Sequence, residues 1–168
     1  RRMQQMLQEL MDAGRGRGAE PEMCRLHDIV RAACAEFAGT AEAQAVAIDT
    51  QVADEIELPL ERARMERVFL NLIDNALEVM PKGGRLTISA QTDGPAVLVR
   101  VQDTGPGVAP EIRARLFQPF VTAGKKHGVG LGLAFSHQTV LDHGGELSID
   151  ASIREGACFL IRLPLSTA

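Results

Sequence analysis

No apolar run in this 168-residue chain approaches the roughly 18 to 20 residues that a bilayer-crossing helix needs, so direct membrane insertion is not expected. A secretory leader is not expected either. Met3, Met6, Leu7, Leu10 and Met11 are spaced as a stripe rather than joined in one block. Cysteine is scarce: Cys24, Cys34 and Cys158 are odd in number, far apart and without C-x-x-C spacing. That excludes a disulfide or zinc framework and predicts buried thiols in a reducing, cytoplasmic compartment. A formal net charge of −4 argues against nucleic acid as the main partner. Repeats and low-complexity tracts are missing, which excludes solenoids and tails. What remains is a chain that is 45% hydrophobic, enough for one principal domain with a real core. It opens mid-pattern on Arg1, as a piece of a longer protein would.

Residues 1–13 are predicted as an amphipathic helix, and 14–22, with three glycines and Pro21, as a linker. From 23 onward, helical and strand patterns alternate. A helix is predicted from Leu26 to Phe37, with Leu26, Ile29, Val30, Ala33, Cys34 and Phe37 inward. A strand follows at "AVAIDTQV", then a long helix from about Leu60 to Met80, ended by "PKGG". "RLTISAQ" and "AVLVRVQ" form a hairpin around Thr92-Asp93-Gly94-Pro95, and a short helix lies near "PEIRARLF". The last elements are a helix running into "LDHGG" and a hairpin around Arg154-Glu155-Gly156. The expected fold is α+β: a two-layer sandwich with one mixed, mostly antiparallel sheet covered by helices.

Three constellations bear polar chemistry. On the long helix Asn71, Asn75 and Glu78 fall on one narrow stripe among Val68, Phe69, Leu72, Ile73, Ala76 and Met80. Asparagine is a poor helix former, so two on one line invite a reason. A solvated face is one reading; a row of oxygen donors for a hard cation such as Mg²⁺ is the other. Next, "VRVQDTGPG" delivers Asp103 at a strand end, with Gly105 and Gly107 around Pro106. This is either ordinary turn chemistry or a carboxylate placed to accept from the exocyclic amine of adenine. Asp-Thr-Gly also matches one loop of the aspartic proteases, but those need two copies and only one is present. Third, "GKKHGVGLGLAF" holds two of the chain's three lysines, Lys125 and Lys126, just before a helix. It fits neither the P-loop nor the dinucleotide spacing. A hinge with solvated lysines and a phosphate site at a helix N-terminus fit it about equally.

Taken in order, Asn-x-x-x-Asn on a helix, Asp-x-Gly-x-Gly after a strand, "LFQPF" and G-x-G-x-G-L opening a helix occur within 70 residues. In this the chain resembles the ATP-binding catalytic domain of sensor histidine kinases, in the superfamily of gyrase, the heat-shock chaperone ATPases and MutL. The resemblance covers about residues 23 to 164. It implies a 23–168 catalytic domain, with 1–13 as the tail of a dimerisation and phosphotransfer helix. It also implies ATP and Mg²⁺ as ligands, with Asn75 holding the ion and Asn71 beside it as a second candidate ligand and catalytic residue. Glu78 lies on the same edge. Asp103 would bind the adenine amine, with Gly105 and Gly107 admitting the backbone. Phe117 and Phe120 match the phenylalanine motif that anchors an ATP lid. Thr122, Lys125, Lys126, Gly128, Val129, Gly130, Leu131 and Gly132 would form that lid over the phosphates.

The same resemblance implies γ-phosphoryl transfer to a histidine on a separate domain, homodimerisation of the full protein, and a response regulator receiver as the next partner. Hydrolytic relatives carry a glutamate base one turn before the metal asparagine; this chain has Asn71 there, which cannot abstract a proton. Two alternatives share the fold: a silent nucleotide-binding module, and an anti-sigma-type serine kinase. None of the four histidines reads as the phosphoacceptor. His27 and His137 are predicted on helix surfaces, His127 in the lid, and His143 as a cation at a helix C-terminus. Three places depart from the family pattern, one of them Val79, where many members carry an aromatic. Glu78 replaces a common lysine, which passes the phosphate-facing charge to Lys125, Lys126 or Arg115. "GACF" replaces Gly-Thr-Thr-Phe, which removes the hydroxyl partner expected beside Asp103.

Overall fold

The computed structural model of the chain describes residues 20–118 and 131–166. Residues 1–19, with the predicted first helix, lie outside the described residues, as do Phe120, Thr122, Lys125, Lys126, Gly128, Val129 and Gly130 of the predicted lid.

Strand patterning places the larger sheet. In β5 (Ala96–Asp103) Val97, Val99 and Val101 alternate inward, and in β7 (Ala157–Pro164) Phe159, Ile161 and Leu163 do the same. The antiparallel register sets Val97 against Leu163, Val99 against Ile161 and Val101 against Phe159, so each inward pair shares one buried face. The remaining strands are β2 (Val46–Gln51), β4 (Gly84–Asp93) and β6 (Glu146–Ile149), and the order is β2-β4-β5-β7-β6. Only β2 and β4 run parallel. The sheet is thus mixed and mostly antiparallel, as expected.

Helices supply the second layer. In α1 (Leu26–Glu36) Leu26, Ile29, Val30 and Ala33 are buried. In the long α3 (Arg62–Glu78) Met65, Val68, Phe69, Leu72, Ile73, Ala76 and Leu77 fill the inner face. This helix touches α1 on one side and α5 (Gly132–Asp142) on the other. There are also two short helices, α2 (Ala38–Ala43) and α4 (Pro110–Arg113).

Three elements were not anticipated. Glu22–Arg25 (β1) pairs antiparallel with Glu57–Leu60 (β3), with Met23 opposite Pro59, and α2 occupies what looked like a connection. Consequently the long helix begins at Arg62, not Leu60: Leu58 and Leu60 alternate with Glu57 and Pro59 as strand residues, both fully buried. Four residues of period two beside a strong helical pattern are too few to be separated from it by eye. The first strand among the described residues starts at Glu22.

His143 corrects another expectation. Its Nε2 accepts the Glu61 backbone N–H at 3.0 Å, while Nδ1 lies 2.7 Å from the Thr139 carbonyl oxygen. A carbonyl only accepts, so the hydrogen is on Nδ1 and the ring is a neutral tie between the N-cap of α3 and the C-terminal end of α5. The cation at this helix end is instead Arg64, which donates to Glu61 at 2.8 Å and to Asp142 at 2.7 Å. Burial pushes the Asp142 carboxyl up, but hydrogen bonds from Arg64 and Gln138 outweigh it and hold the pKa below the ordinary carboxylate value. The pair's stabilisation is therefore complete above the unfolded carboxylate range and is lost as pH falls through the lowered folded value. Changing His143 to alanine leaves the Glu61 N–H and the Thr139 carbonyl without these partners. It is expected to cost about 1 to 3 kcal/mol in a urea titration, whereas a cost below the fitting error would remove the tie from the stability argument.

Candidate active site

The polar stripe of α3 is where the helical layer offers oxygen atoms. Asn71, Asn75 and Glu78 are all half-buried there, so the fully solvated face is excluded. Asn71 donates from Nδ2 to the Gly132 carbonyl and to the Ser136 hydroxyl, both at 3.2 Å, and so ties α3 to the first turn of α5. The Asn75 Nδ2 is buried and has no hydrogen-bond partner among the described residues. An orphaned amide nitrogen inside a fold is costly, which marks this position as more than a structural filler.

Asp103 ends β5 and is 5% exposed. Its Oδ1 accepts the Gly105 N–H at 2.9 Å, an Asx-type turn, and the Ala157 N–H at 3.3 Å from the start of β7. The missing hydroxyl of the "GACF" departure is thus matched by a backbone donor. Pairing of Asp103 with Leu86 on β4 and with Ala157 on β7 sets the carboxylate at the shared end of three strands. The loop that follows is close-fitting. A Cβ at Gly105 would stand 2.9 Å from the Val79 Cγ2 and 3.1 Å from Asp103 Oδ1. Gly107 has φ of +81°, and a Cβ there would stand 2.8 Å from the Gly156 carbonyl oxygen.

Phe117 is half-buried, stacked on His137 with ring centroids 5.1 Å apart and edge-on to Phe159 at 6.3 Å. His137 is therefore not the plain surface residue that was predicted: its ring covers Phe117. Leu131, 6% exposed, precedes α5, whose N-terminus has no side-chain cap among the described residues. Gly132 has no positive φ, and a Cβ there would meet Asn71 only at 3.5 Å, an ordinary contact. Its expected need for glycine is not visible in the backbone. Arg115 is exposed, and His27 is a surface histidine beside Asp28 and Asp54, as predicted.

Sequence reasoning missed Ser136, the Ala157 N–H and Gly156. The signals for Gly156 were its place in the last hairpin turn and its being the glycine that "GACF" shares with Gly-Thr-Thr-Phe. No helix of the described residues is long and apolar enough to cross a membrane. Burial pushes the thiols of Cys24, Cys34 and Cys158 upward, away from the reactive thiolate form. A groove of about 570 Å³ between α1, α2 and β2, lined in part by Cys34, Val46 and Ile48, shares no residue with this site.

Residues 60–167 match the family model of the histidine kinase-, DNA gyrase B- and HSP90-like ATPases. The chain is 36% identical over 144 residues to the alginate biosynthesis sensor protein KinB of Pseudomonas aeruginosa, covering 84% of this chain. It spans 24% of KinB's length. The catalytic domain of histidine kinase ThkA superposes with a TM-score of 0.80 at 24% identity, covering 88% of this chain and 97% of that domain. ThkA in complex with response regulator protein TrrA superposes at 0.83 and 22% identity, covering 98% of this chain and 47% of that one. By its sequence match and its fold alike, the chain belongs to the histidine kinase-, DNA gyrase B- and HSP90-like ATPase family.

Proposed function

We propose that the chain binds ATP and transfers its γ-phosphoryl group to a histidine on a dimerisation and phosphotransfer domain of the same protein. The observation that carries the reading is the buried Asp103 carboxylate, held by two backbone N–H groups at the end of the sheet. A carboxylate fixed this way accepts from an amine and repels a carbonyl oxygen, which selects adenine over guanine. Gly105 and Gly107 keep side chains out of the approach. Phe117, packed on His137 and Phe159, stands just before the segment read as a lid, and Glu78 borders the phosphate end of the stripe.

The donor set fits a magnesium ion carried in with the nucleotide. Asn75 turns a partnerless nitrogen inward, and the Oδ1 atoms of Asn71 and Asn75 have no partners among the described residues. Those residues contain no cluster of three His, Cys, Asp or Glu suited to a metal, so protein oxygens would share the ion with phosphates and water. When bound, such an ion neutralises phosphate charge during transfer. Asn71, an amide, cannot act as the base that hydrolysis would need, so a protein acceptor suits the site better than water.

On this reading residues 1–13 end a dimerisation helix, 14–22 link it to the catalytic domain, and the full protein works as a homodimer. Phosphate then passes to a receiver domain, as the ThkA–TrrA complex suggests by analogy, and the site works in the cytoplasm, where ATP is available. The 168-residue chain, incubated with γ-labelled ATP and Mg²⁺, is expected to carry no phosphohistidine and to hydrolyse ATP slowly. Adding the phosphotransfer domain of the parent protein should yield acid-labile label on that domain. Rapid multiple turnover by the chain alone would replace the kinase reading with a hydrolase.

A further inference from the structure

We propose that Ser136 is a positioning residue that, with the Gly132 carbonyl, locks the Asn71 amide so that only its oxygen is offered to a magnesium–nucleotide complex. The inference rests on the proposed ATP-binding function and specifies how one residue of that site is oriented.

An asparagine amide has two faces of opposite chemistry, and which one points outward is decided by its neighbours. Here the decision is unambiguous. The Gly132 carbonyl lies 3.2 Å from Asn71 Nδ2, and a carbonyl can only accept, so the nitrogen must face α5. The same nitrogen has a second hydrogen, and Ser136 Oγ, also at 3.2 Å, receives it. Ser136 stands four residues beyond Gly132, one turn along the same helix edge, and is 1% exposed. A buried serine inside a helix usually bonds the carbonyl one turn back. This one instead stands beside that carbonyl as half of a two-acceptor fork. With both hydrogens engaged, rotation of the amide would break two bonds and turn its oxygen against the Gly132 carbonyl; the Ser136 hydroxyl can donate as well as accept, so the carbonyl sets which way the amide faces and Ser136 restrains it there. Without Ser136 one hydrogen is released and the oxygen-outward state loses half of its hold.

The fork also joins the cation edge of α3 to the first turn of α5. A ligand on Asn71 Oδ1 and the placement of that turn are then coupled through Ser136.

The test compares ADP binding by calorimetry with and without Mg²⁺, for the parent chain, Ser136→Ala and Ser136→Thr. Loss of one hydrogen bond of this kind predicts that Ser136→Ala gives up about fivefold of the affinity gained from Mg²⁺. Its Mg²⁺-free affinity should stay within about twofold of the parent, and Ser136→Thr should keep the full gain. Equal losses with and without Mg²⁺ would assign Ser136 a merely structural role and overturn the inference, as would an unchanged Mg²⁺ gain. A second readout needs no ligand. The Asn71 side-chain amide should give two separated, slowly exchanging proton resonances in the parent and lose that protection in Ser136→Ala. Exchange as fast as an exposed asparagine in the parent overturns the fork even if the variant does not fold. A parent chain that binds no ADP at all instead overturns the proposed function, and with it any ligand for the Asn71 oxygen.

Discussion

Replacing Asp103 by asparagine is expected to raise the dissociation constant for ADP by about ten- to a hundredfold, the loss of a hydrogen bond to a charged group in a buried setting. The direction follows from the two donors on Oδ1. Gly105 N–H and Ala157 N–H both point at that atom, so an asparagine must place its oxygen there to satisfy them. Its NH₂ then occupies the other carboxylate position and meets the adenine amine donor to donor. Because the backbone bonds survive, the nucleotide-free variant should melt close to the parent. The same NH₂ suits a carbonyl acceptor, so the preference for ADP over GDP should shrink or reverse. Calorimetric titration of both nucleotides into parent and variant decides the matter. Unchanged ADP affinity would remove Asp103 from base recognition and leave it as turn chemistry alone.

Sequence reading reached the stripe and the turn because both are local. The 3.6-residue period of α3 assigns Val68, Phe69, Leu72, Ile73 and Ala76 to the core and leaves Asn71, Asn75 and Glu78 together on the remaining edge. A carboxylate at the end of an alternating strand, followed by two glycines, is equally a matter of neighbours in the chain. What holds these groups in place is not local. Ala157 reaches Asp103 from 54 positions away because β5 and β7 pair antiparallel, and no periodicity carries that register. Ser136 reaches Asn71 from 65 positions away for a similar reason, through contact between α3 and α5.

His137 and His143 illustrate the same limit with one residue type. Helical spacing put His137 within α5 and His143 at its C-terminal end, correctly, yet neither has the environment expected from that place. The His137 ring lies on Phe117, and His143 is a neutral tie rather than a terminal cation. In each case the partner comes from another element, and burial of the imidazole is decided by that partner. Surface character read from a helical wheel is a statement about one helix, whereas burial is a statement about two.

Gly156 should prove the most sensitive glycine of the described site, although no role was expected of it beyond opening the "GACF" stretch. It has φ of +75°, a region that side-chain-bearing residues rarely adopt. A Cβ there would collide with the Asp103 backbone carbonyl, standing also 2.9 Å from its carbon and 3.1 Å from the Thr104 Cα. All three are backbone atoms and cannot rotate aside. Gly156→Ala is therefore expected to cost about 3 to 5 kcal/mol, read as a fall of roughly 10 °C in melting temperature. Relief of the clash would move the β5 end away from β7 and weaken the Ala157 N–H bond to Asp103, so ADP affinity should fall together with stability. Gly132→Ala makes the contrast. With no positive φ and an ordinary 3.5 Å contact to Asn71, alanine fits the first turn of α5. Alanine's helix propensity should change stability by no more than about 1 kcal/mol, in the favourable direction. Any loss of ADP affinity at Gly132 would then arise from closeness to the bound phosphates rather than from the fold. Thermal melts of the two variants without nucleotide separate these cases. A Gly156→Ala chain that melts with the parent would show that β7 can yield to the new methyl, and Asp103 would not depend on this turn.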